Sequence, residues 1–256
     1  AENNLAHADL KKEGIRVGII GRPNVGKSTL VNSILNEKIA IVSKREQTTR
    51  HRIFAILNNE NYQIVFSDTP GFIEPKYELQ KKLVSAANSA LNDADLFLWV
   101  VDVLDKNINF SLLEKIKKKK NPIFLIFNKI DLVKSEQEKK NLEIFWKENS
   151  KINEKNIYKL SAKNDKNFEK IIFDILEIIP EHPAFFPKDM ITDKSERFYV
   201  GEVIRQKIFE NYFEEIPYCS QVEIEKFEEK ENIINISTVI HVEKDSQKAI
   251  IIGKNA

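Results

Sequence analysis

The sequence holds a single cysteine, Cys219, so it cannot close an internal disulfide, and a reducing compartment suits it. Cys219 itself reads as a small, partly buried side chain rather than a reactive thiol. A long apolar run is missing as well. The longest, "ADLFLWVVDVL", is interrupted by Asp95 and Asp102 and falls short of the ~18 residues that a membrane span needs. The opening "AENNLAHADLKKEG" has no apolar core of the kind a secretory signal carries, and the absence of an initial Met reads as processing or a boundary. Nor is there a surplus of one charge. The 40 basic side chains face 39 acidic ones, a formal net charge of +1, which gives no global bias toward nucleic acid. The balance does shift along the chain. From Glu181 onward 10 basic side chains face 15 acidic ones, leaving 30 against 24 upstream, so the front is mildly basic and the tail acidic. What remains is a soluble, cytoplasmic chain of 256 residues, long enough for one full core and a second small one.

Short β-branched or aromatic runs alternate with longer amphipathic stretches. The runs are "IRVGII", "HRIFAIL", "YQIVFS", "LFLWVV", "PIFLIF" and "IYKLSA"; several are continuously apolar, as strands covered on both faces must be. Helical spacing falls at residues 27–36, 77–92, 109–120, 135–149 and 167–179. The alternation predicts an α/β fold: a mostly parallel six-stranded sheet with helices on both faces. "LNNEN" between the second and third strands is too short for a crossover, so that pair should be antiparallel. A proline-rich stretch, "PEHPAFFPKDMITDKSERF", closes this domain, and an αββα unit comes after it. "KKKK" at Lys117–Lys120 suits the negative end of a helix better than it suits an RNA-binding patch.

"GRPNVGKSTL" supplies the full phosphate-loop pattern, Gly21-x-x-x-x-Gly26-Lys27-Ser28, with a strand before it and a helix after. Gly21 and Gly26 let the backbone of Arg22, Pro23, Asn24 and Val25 close around a phosphate at a helix N-terminus that favours anions. Lys27 brings a point charge to the β- and γ-oxygens, the Ser28 hydroxyl is a Mg²⁺ ligand, and Thr29 completes the loop. "IVFSDTPG" adds Asp68 at a strand end as the second metal-side group, with Thr69, Pro70, Gly71 and Phe72 directly after it. The Gly71 N–H would meet a γ-phosphate and lose it on hydrolysis. "NKID" turns a nucleotide into a guanine nucleotide. After Asn128, Lys129 and Ile130, the Asp131 carboxylate can accept from guanine N1–H and its exocyclic amine, donors that adenine lacks. A site built to bond such donors rejects analogues without them by about 10⁴-fold or more. "LSAK" adds Ser161, Ala162 and Lys163 to the pocket.

Taken together, "GRPNVGKS", "QTTRH", "DTPG", "NKID" and "SAK" resemble the signature of the Ras-like, translation-factor-related GTPases. "QTTRHRI", "MITDKSERF", "EVIRQKIF", "IPYCSQVEIEKF" and "VEKDSQKAIIIG" resemble the Era-like family within that class, over roughly residues 16–253. The resemblance implies an N-terminal extension (1–14), an Era-type GTPase domain (15–180), a linker (181–195) and a type II KH domain (196–256) incomplete at its C-terminus. It implies a molecular switch that binds Mg²⁺ with GTP or GDP, contacts 16S rRNA near its 3′ end and assists assembly of the 30S subunit. It implies a cytoplasmic monomer with peripheral association at the inner face of the membrane. It makes Thr49 of "QTTRH" the metal ligand ordered by GTP, ahead of Thr48, and the catalytic group Lys27, Thr49, Gly71 and Asn24. On the residues alone, "SKREQTTRHR" is a polar basic loop for which an RNA contact is the other reading.

Ras-type enzymes carry a water-orienting glutamine after the "DxxG" glycine; here Phe72 occupies that position, so slow intrinsic turnover is expected. In similar GTPases an asparagine at the position of Asn24 helps hold K⁺, which supplies positive charge to the reaction; an unusual loop dihedral is the plainer role. "IIIGKNA" falls where the RNA-gripping loop of a KH domain belongs, with Gly253, Lys254 and Asn255 as its first positions and Ala256 where the second Gly would stand. Two other functions compete: an RNA-binding module with a structural, non-hydrolysing nucleotide site, and a related GTPase of tRNA modification.

Overall fold

The computed structural model describes residues 14–73, 75, 78–165, 168–178 and 182–253. These residues form two compact units. One runs to Ala40 and resumes over Thr49–Asp193; the other takes Ile41–Thr48 and the chain from Lys194 on.

In the first unit the elements are β1 (Ile15–Ile20), α1 (Lys27–Leu35), β2 (Ile53–Asn58), β3 (Gln63–Asp68), α2 (Glu78–Asp93), β4 (Leu96–Asp102), α3 (Phe110–Lys118), β5 (Ile123–Asn128), α4 (Glu136–Ser150), β6 (Ile157–Lys159) and α5 (Glu169–Glu177). The six strands form one sheet in the order β2-β3-β1-β4-β5-β6. Only β2 runs antiparallel to its neighbour, as the short "LNNEN" connection requires. The continuous apolar runs result from the pleat. In β4, Leu96, Leu98 and Val100 enter the core beneath α1 and α5, while Phe97, Trp99 and Val101 enter the core beneath α2, α3 and α4. Trp99 and Trp146 meet edge to face at 5.9 Å in the second of these cores. Asn109 and Ser135 cap α3 and α4 by accepting the N–H groups of Leu112 and Glu138.

From His182 to Asp193 the proline-rich stretch belongs to this unit, where the sequence suggested a domain ending at 180 and a linker over 181–195. The cause is Gln63, fully buried in β3. Its amide nitrogen donates to the Phe186 carbonyl at 2.9 Å, and its oxygen accepts from Phe185 and Phe186 N–H at 2.7 and 3.0 Å. Beyond it, Ile56 N–H donates to Ile191 O and Phe54 N–H to Asp193 Oδ1, both at 2.9 Å. The segment thus covers the open edge of β2, which would otherwise present unpaired backbone groups.

The second unit contains α6 (Glu196–Asn211), α7 (Ile216–Cys219), β7 (Gln221–Lys230), β8 (Ile233–His241) and α8 (Asp245–Ile252). β7 and β8 pair antiparallel with a register shift between Ile224 and Lys226. Ser195 caps α6 by accepting Phe198 N–H. On α6, Arg205 and Glu202 form a buried pair, 2.8 Å from Nε to Oε1. Gln206 Nε2 donates to Val42 O at 2.9 Å, and the Arg45 guanidinium lies 5.0 Å from the Phe213 ring centroid, which ties 41–48 into this unit. "QTTRH" is therefore divided: Gln47 and Thr48 belong to the second unit, Thr49, Arg50 and His51 to the first. Among the described residues no helix is long and apolar enough to cross a membrane.

Candidate functional site

Four strand ends meet the loops that carry the sequence motifs: Ile20 of β1, Asp68 of β3, Asn128 of β5 and Lys159 of β6. Ligands of open parallel sheets bind outside such carboxyl ends. The loop after β1 leads into α1 through Gly26, whose φ of 98° is left-handed; a Cβ there would lie 2.2 Å from Asn128 Nδ2. Asn24 also takes a positive φ, 59°, and is exposed. Lys27 is buried and donates from Nζ to the carbonyls of Gly21 (3.3 Å) and Arg22 (2.9 Å), so its charge is held across the loop mouth. Thr29 lies in the first turn of α1, and Val25 is buried beneath the loop. The Arg22 guanidinium turns to the Asp105 carboxylate and, at 3.4 Å, to Asn107 O, so it serves the loop's shape rather than a phosphate.

Ser28 Oγ donates to Asp68 Oδ2 at 2.6 Å and lies 3.0 Å from Thr49 Oγ1. Thr49, not Thr48, is thus brought to Ser28; the Thr48 hydroxyl instead bonds the Arg45 carbonyl at 2.8 Å and lies 2.6 Å from Ser43 Oγ. Asp68 has no exposed surface, and its Oδ1 has no hydrogen-bond partner. A carboxylate in that position is costly unless something charged joins it. Burial pushes the Asp68 carboxyl up to about 6, against the pull of the Ser28 bond and the Lys27 charge. Burial also drives Lys27 down to about 8, with Asp68 opposing. Two hydroxyls and one carboxylate form a hard-oxygen donor set that suits Mg²⁺, which takes few protein ligands and completes its shell with water and phosphate.

Thr69 turns its hydroxyl to Ile19 O at 2.9 Å, away from this cluster, and Pro70 is buried. Gly71 abuts the phosphate loop, where a Cβ would come 2.5 Å from Pro23 N, so no side chain fits between them. Phe72 donates its N–H to Gly21 O at 3.0 Å and buries its ring in the core with Ala87 and Leu91.

Asn128, 2% exposed, is the joint of the site. Its Nδ2 donates to Val25 O at 2.7 Å, and its Oδ1 accepts from Lys129 N–H and Ala162 N–H, both at 2.8 Å. One amide therefore ties the phosphate loop, the "NKID" loop and the "SAK" loop together. Ile130 N–H donates to Leu160 O at 3.3 Å, and Asp131 sits exposed in the short 3₁₀ turn of Ile130–Leu132. Ser161 N–H donates to Asp165 Oδ2 at 2.7 Å; the Ser161 hydroxyl is buried without a partner, and Lys163 is exposed. Of the residues read from the sequence as one nucleotide site, the hydrogen bonds bring together Ser28, Thr49 and Asp68, and Val25, Asn128, Lys129 and Ala162. Of those read as RNA contacts, Gly253 ends α8 at φ 83° with open space around it, while Lys254 and Asn255 lie outside the described residues. Sequence reading missed Asp102 and Asp105. The signal was available in "VVDVLD", a carboxylate at the end of a parallel strand, the same position that made Asp68 stand out.

Fold and site together define a phosphate-loop GTPase joined to a small α+β unit. Residues 16–129 match the 50S ribosome-binding GTPase family and residues 215–256 the KH domain. GTPase Era of Clostridium botulinum (strain Eklund 17B / Type B) is 42% identical over 243 residues, 93% of this chain and 81% of that protein. GTPase Era of Syntrophus aciditrophicus is 42% identical over 242 residues, 93% of this chain and 78% of its own. Among solved structures, Era in complex with MgGDPNP and nucleotides 1506–1542 of 16S ribosomal RNA is similar at a TM-score of 0.87 and 33% identity, covering 94% of this chain and 83% of that one. An Aquifex aeolicus Era variant bound to GDP·AlF₄⁻ matches with the same scores. The chain belongs to the Era family of GTPases.

Proposed function

We propose that the chain binds Mg²⁺ with GTP at the Ser28–Asp68–Thr49 cluster, hydrolyses GTP to GDP and phosphate, and uses the cycle to bind 16S rRNA during assembly of the 30S subunit. Support for the RNA partner comes from the relative solved with 16S rRNA and from the KH match. The observation that carries the nucleotide reading is Asn128, which draws three signature loops to one point. In this reading Lys27 bonds the β- and γ-oxygens, Gly71 N–H meets the γ-phosphate, and Asp131 accepts from the guanine edge. Ser28, Thr49 and Asp68 would hold Mg²⁺, which supplies charge neutralisation at the phosphates. With Phe72 buried, no side chain next to Gly71 orients water, so turnover is slow without added positive charge. Exposed Asn24 is the group to hold K⁺ for that purpose. Gly253, Lys254 and Asn255 begin the RNA-gripping loop. The protein acts as a cytoplasmic monomer with peripheral contact at the inner face of the membrane, a reading supported by family resemblance.

Calorimetry with GTP, GDP and ATP, with and without EDTA, tests the nucleotide reading. Tight, magnesium-dependent binding of GTP alone among the triphosphates is expected, and equal binding of ATP would overturn it. Phosphate release measured in K⁺ and Na⁺ buffers, with and without 30S subunits, tests the rest; identical rates in the two salts would remove K⁺.

A further inference from the structure

Asp102 and Asp105 stand on the turn that leaves β4, and each divides its carboxylate in the same way. Asp102 Oδ1 accepts Leu104 N–H at 3.1 Å, and its Oδ2 meets Lys129 Nζ at 2.8 Å. Asp105 Oδ1 accepts Asn107 N–H at 2.9 Å, and its Oδ2 meets Arg22. One oxygen of each carboxylate thus holds its own loop in a fixed turn, and the other is aimed at a cation from a different signature loop. The two pairs are not equal. Arg22 and Asp105 have 40% and 32% of their side chains exposed, so solvent screens them; Lys129 and Asp102, at 31% and 22%, are better shielded.

Asp102 is also the register partner of Asn128 across β4 and β5, which sets it beside the start of the "NKID" loop. Lys129 takes a left-handed backbone, φ 63°, with its N–H bonded to Asn128 Oδ1. The backbone end of this lysine is therefore fixed by Asn128 and its ammonium end by Asp102. Held at both ends, its four-carbon stem is restricted, and a lysine stem offers an apolar surface to a planar ring.

We infer that Asp102 is a positioning residue for guanine-nucleotide binding: it acts through Lys129, holding that stem as a wall of the base pocket beside Asp131, without touching the nucleotide. The inference rests on the reading of 128–131 as the base pocket. A lysine released at one end occupies the productive arrangement only part of the time, and apparent affinity falls by that fraction. If the fraction is about a tenth, affinity falls about tenfold.

The test uses the whole chain and the variants Asp102→Asn, Lys129→Met, their double and Asp131→Ala. Calorimetry with GTP and GDP, steady-state hydrolysis and thermal melts are measured for each. Asp102→Asn should raise Kd for both nucleotides and KM for GTP by about tenfold while kcat at saturation stays within about twofold. Lys129→Met keeps the stem and loses the anchor, so it should weaken binding by a similar factor, and the double variant should be no weaker than Lys129→Met alone. It also keeps the test decisive if Asp102→Asn folds poorly. Normal binding by Lys129→Met, or a full further loss in the double variant, would each overturn the inference. Unchanged GTP binding by Asp131→Ala would instead sink the base-pocket reading beneath it.

Discussion

The side-chain amide of Asn128 donates to the carbonyl of Val25 at 2.7 Å, joining the end of β5 to the phosphate loop across 103 residues of sequence. Its oxygen and one of its two amide hydrogens go to backbone groups, so Asn128 holds these loops to one another. Asn128→Ala removes three bonds at once, two of them buried, each worth about 1 kcal/mol net, and leaves backbone groups unpaired. Loss of roughly 3 kcal/mol in nucleotide-free denaturation, with GTP and GDP binding weakened together, is expected; weakened binding at undiminished stability would assign Asn128 to the base instead.

Asp68 makes the nucleotide-free protein sensitive to pH in an unusual direction. Its folded carboxyl titrates about 6, above its ordinary 3.8, so its contribution to stability is full below about 4 and is lost as pH rises through 6. Lys27 is depressed to about 8, so its contribution is present above about 10 and lost as pH falls through 8. At pH 7 both are charged and dry, a standing cost that a nucleotide with magnesium would relieve on the proposed reading. In EDTA at pH 7, Asp68→Asn should therefore be more stable than the parent by roughly 1–2 kcal/mol, while losing magnesium-dependent GTP binding. Chemical denaturation at pH 5 and 7 reads the Asp68 effect, and a destabilised Asp68→Asn at pH 7 would contradict it.

Restoring glutamine at position 72 should not restore fast hydrolysis. The Phe72 ring is buried in the core that Ala87 and Leu91 share, so Phe72→Gln buries an amide and gives up ring contacts, a loss of about 2–4 kcal/mol. Single-turnover phosphate release no faster than the parent, with a lowered melting temperature, is the expected pair of results.

The Cys219 thiol is pushed above its usual range by burial first and then by the charge of Glu243. A raised thiol pKa lowers the thiolate fraction at neutral pH. Alkylation by iodoacetamide, read by mass spectrometry, should run slower at Cys219 than in a free cysteine peptide and quicken only at alkaline pH.

The segment 41–48 should loosen when its hold on α6 is cut. Gln206→Ala removes the bond to Val42 O, and Phe213→Ala the ring beneath Arg45, each worth under about 1 kcal/mol at such exposure. Faster hydrogen exchange across Ile41–Thr48 in these variants, with exchange in β1, β3 and β4 unchanged, is expected.

What could be read directly from the sequence was whatever local pattern dictates. Leu96 to Val101 announce a strand covered on both faces, "LNNEN" forces the antiparallel pair, and Gly26-Lys27-Ser28 cannot serve a different loop equally well. What could not be read depends on partners far along the chain. Gln63 looks like a polar interruption of a strand until Phe185 and Phe186 arrive to bond it, and proline-rich sequence reads as a linker until an open strand edge is there to receive it. Asp102 looked like a break in an apolar run, and Asp105 drew no reading, because their meaning lies in Lys129 and Arg22, on other loops. The division of "QTTRH" between two units was invisible for the same reason.

That division constrains how the molecule can be dissected. Since Ile41–Thr48 takes its bonding from α6 and Phe213, a fragment stopped at Asp193 would carry those residues stripped of Gln206 and the Phe213 ring. Protease nicking near 193 and separation of the pieces would thus deliver an amputated enzyme, with a loose tether directly before Thr49. Rates measured on such a piece would describe the amputation, not the parent.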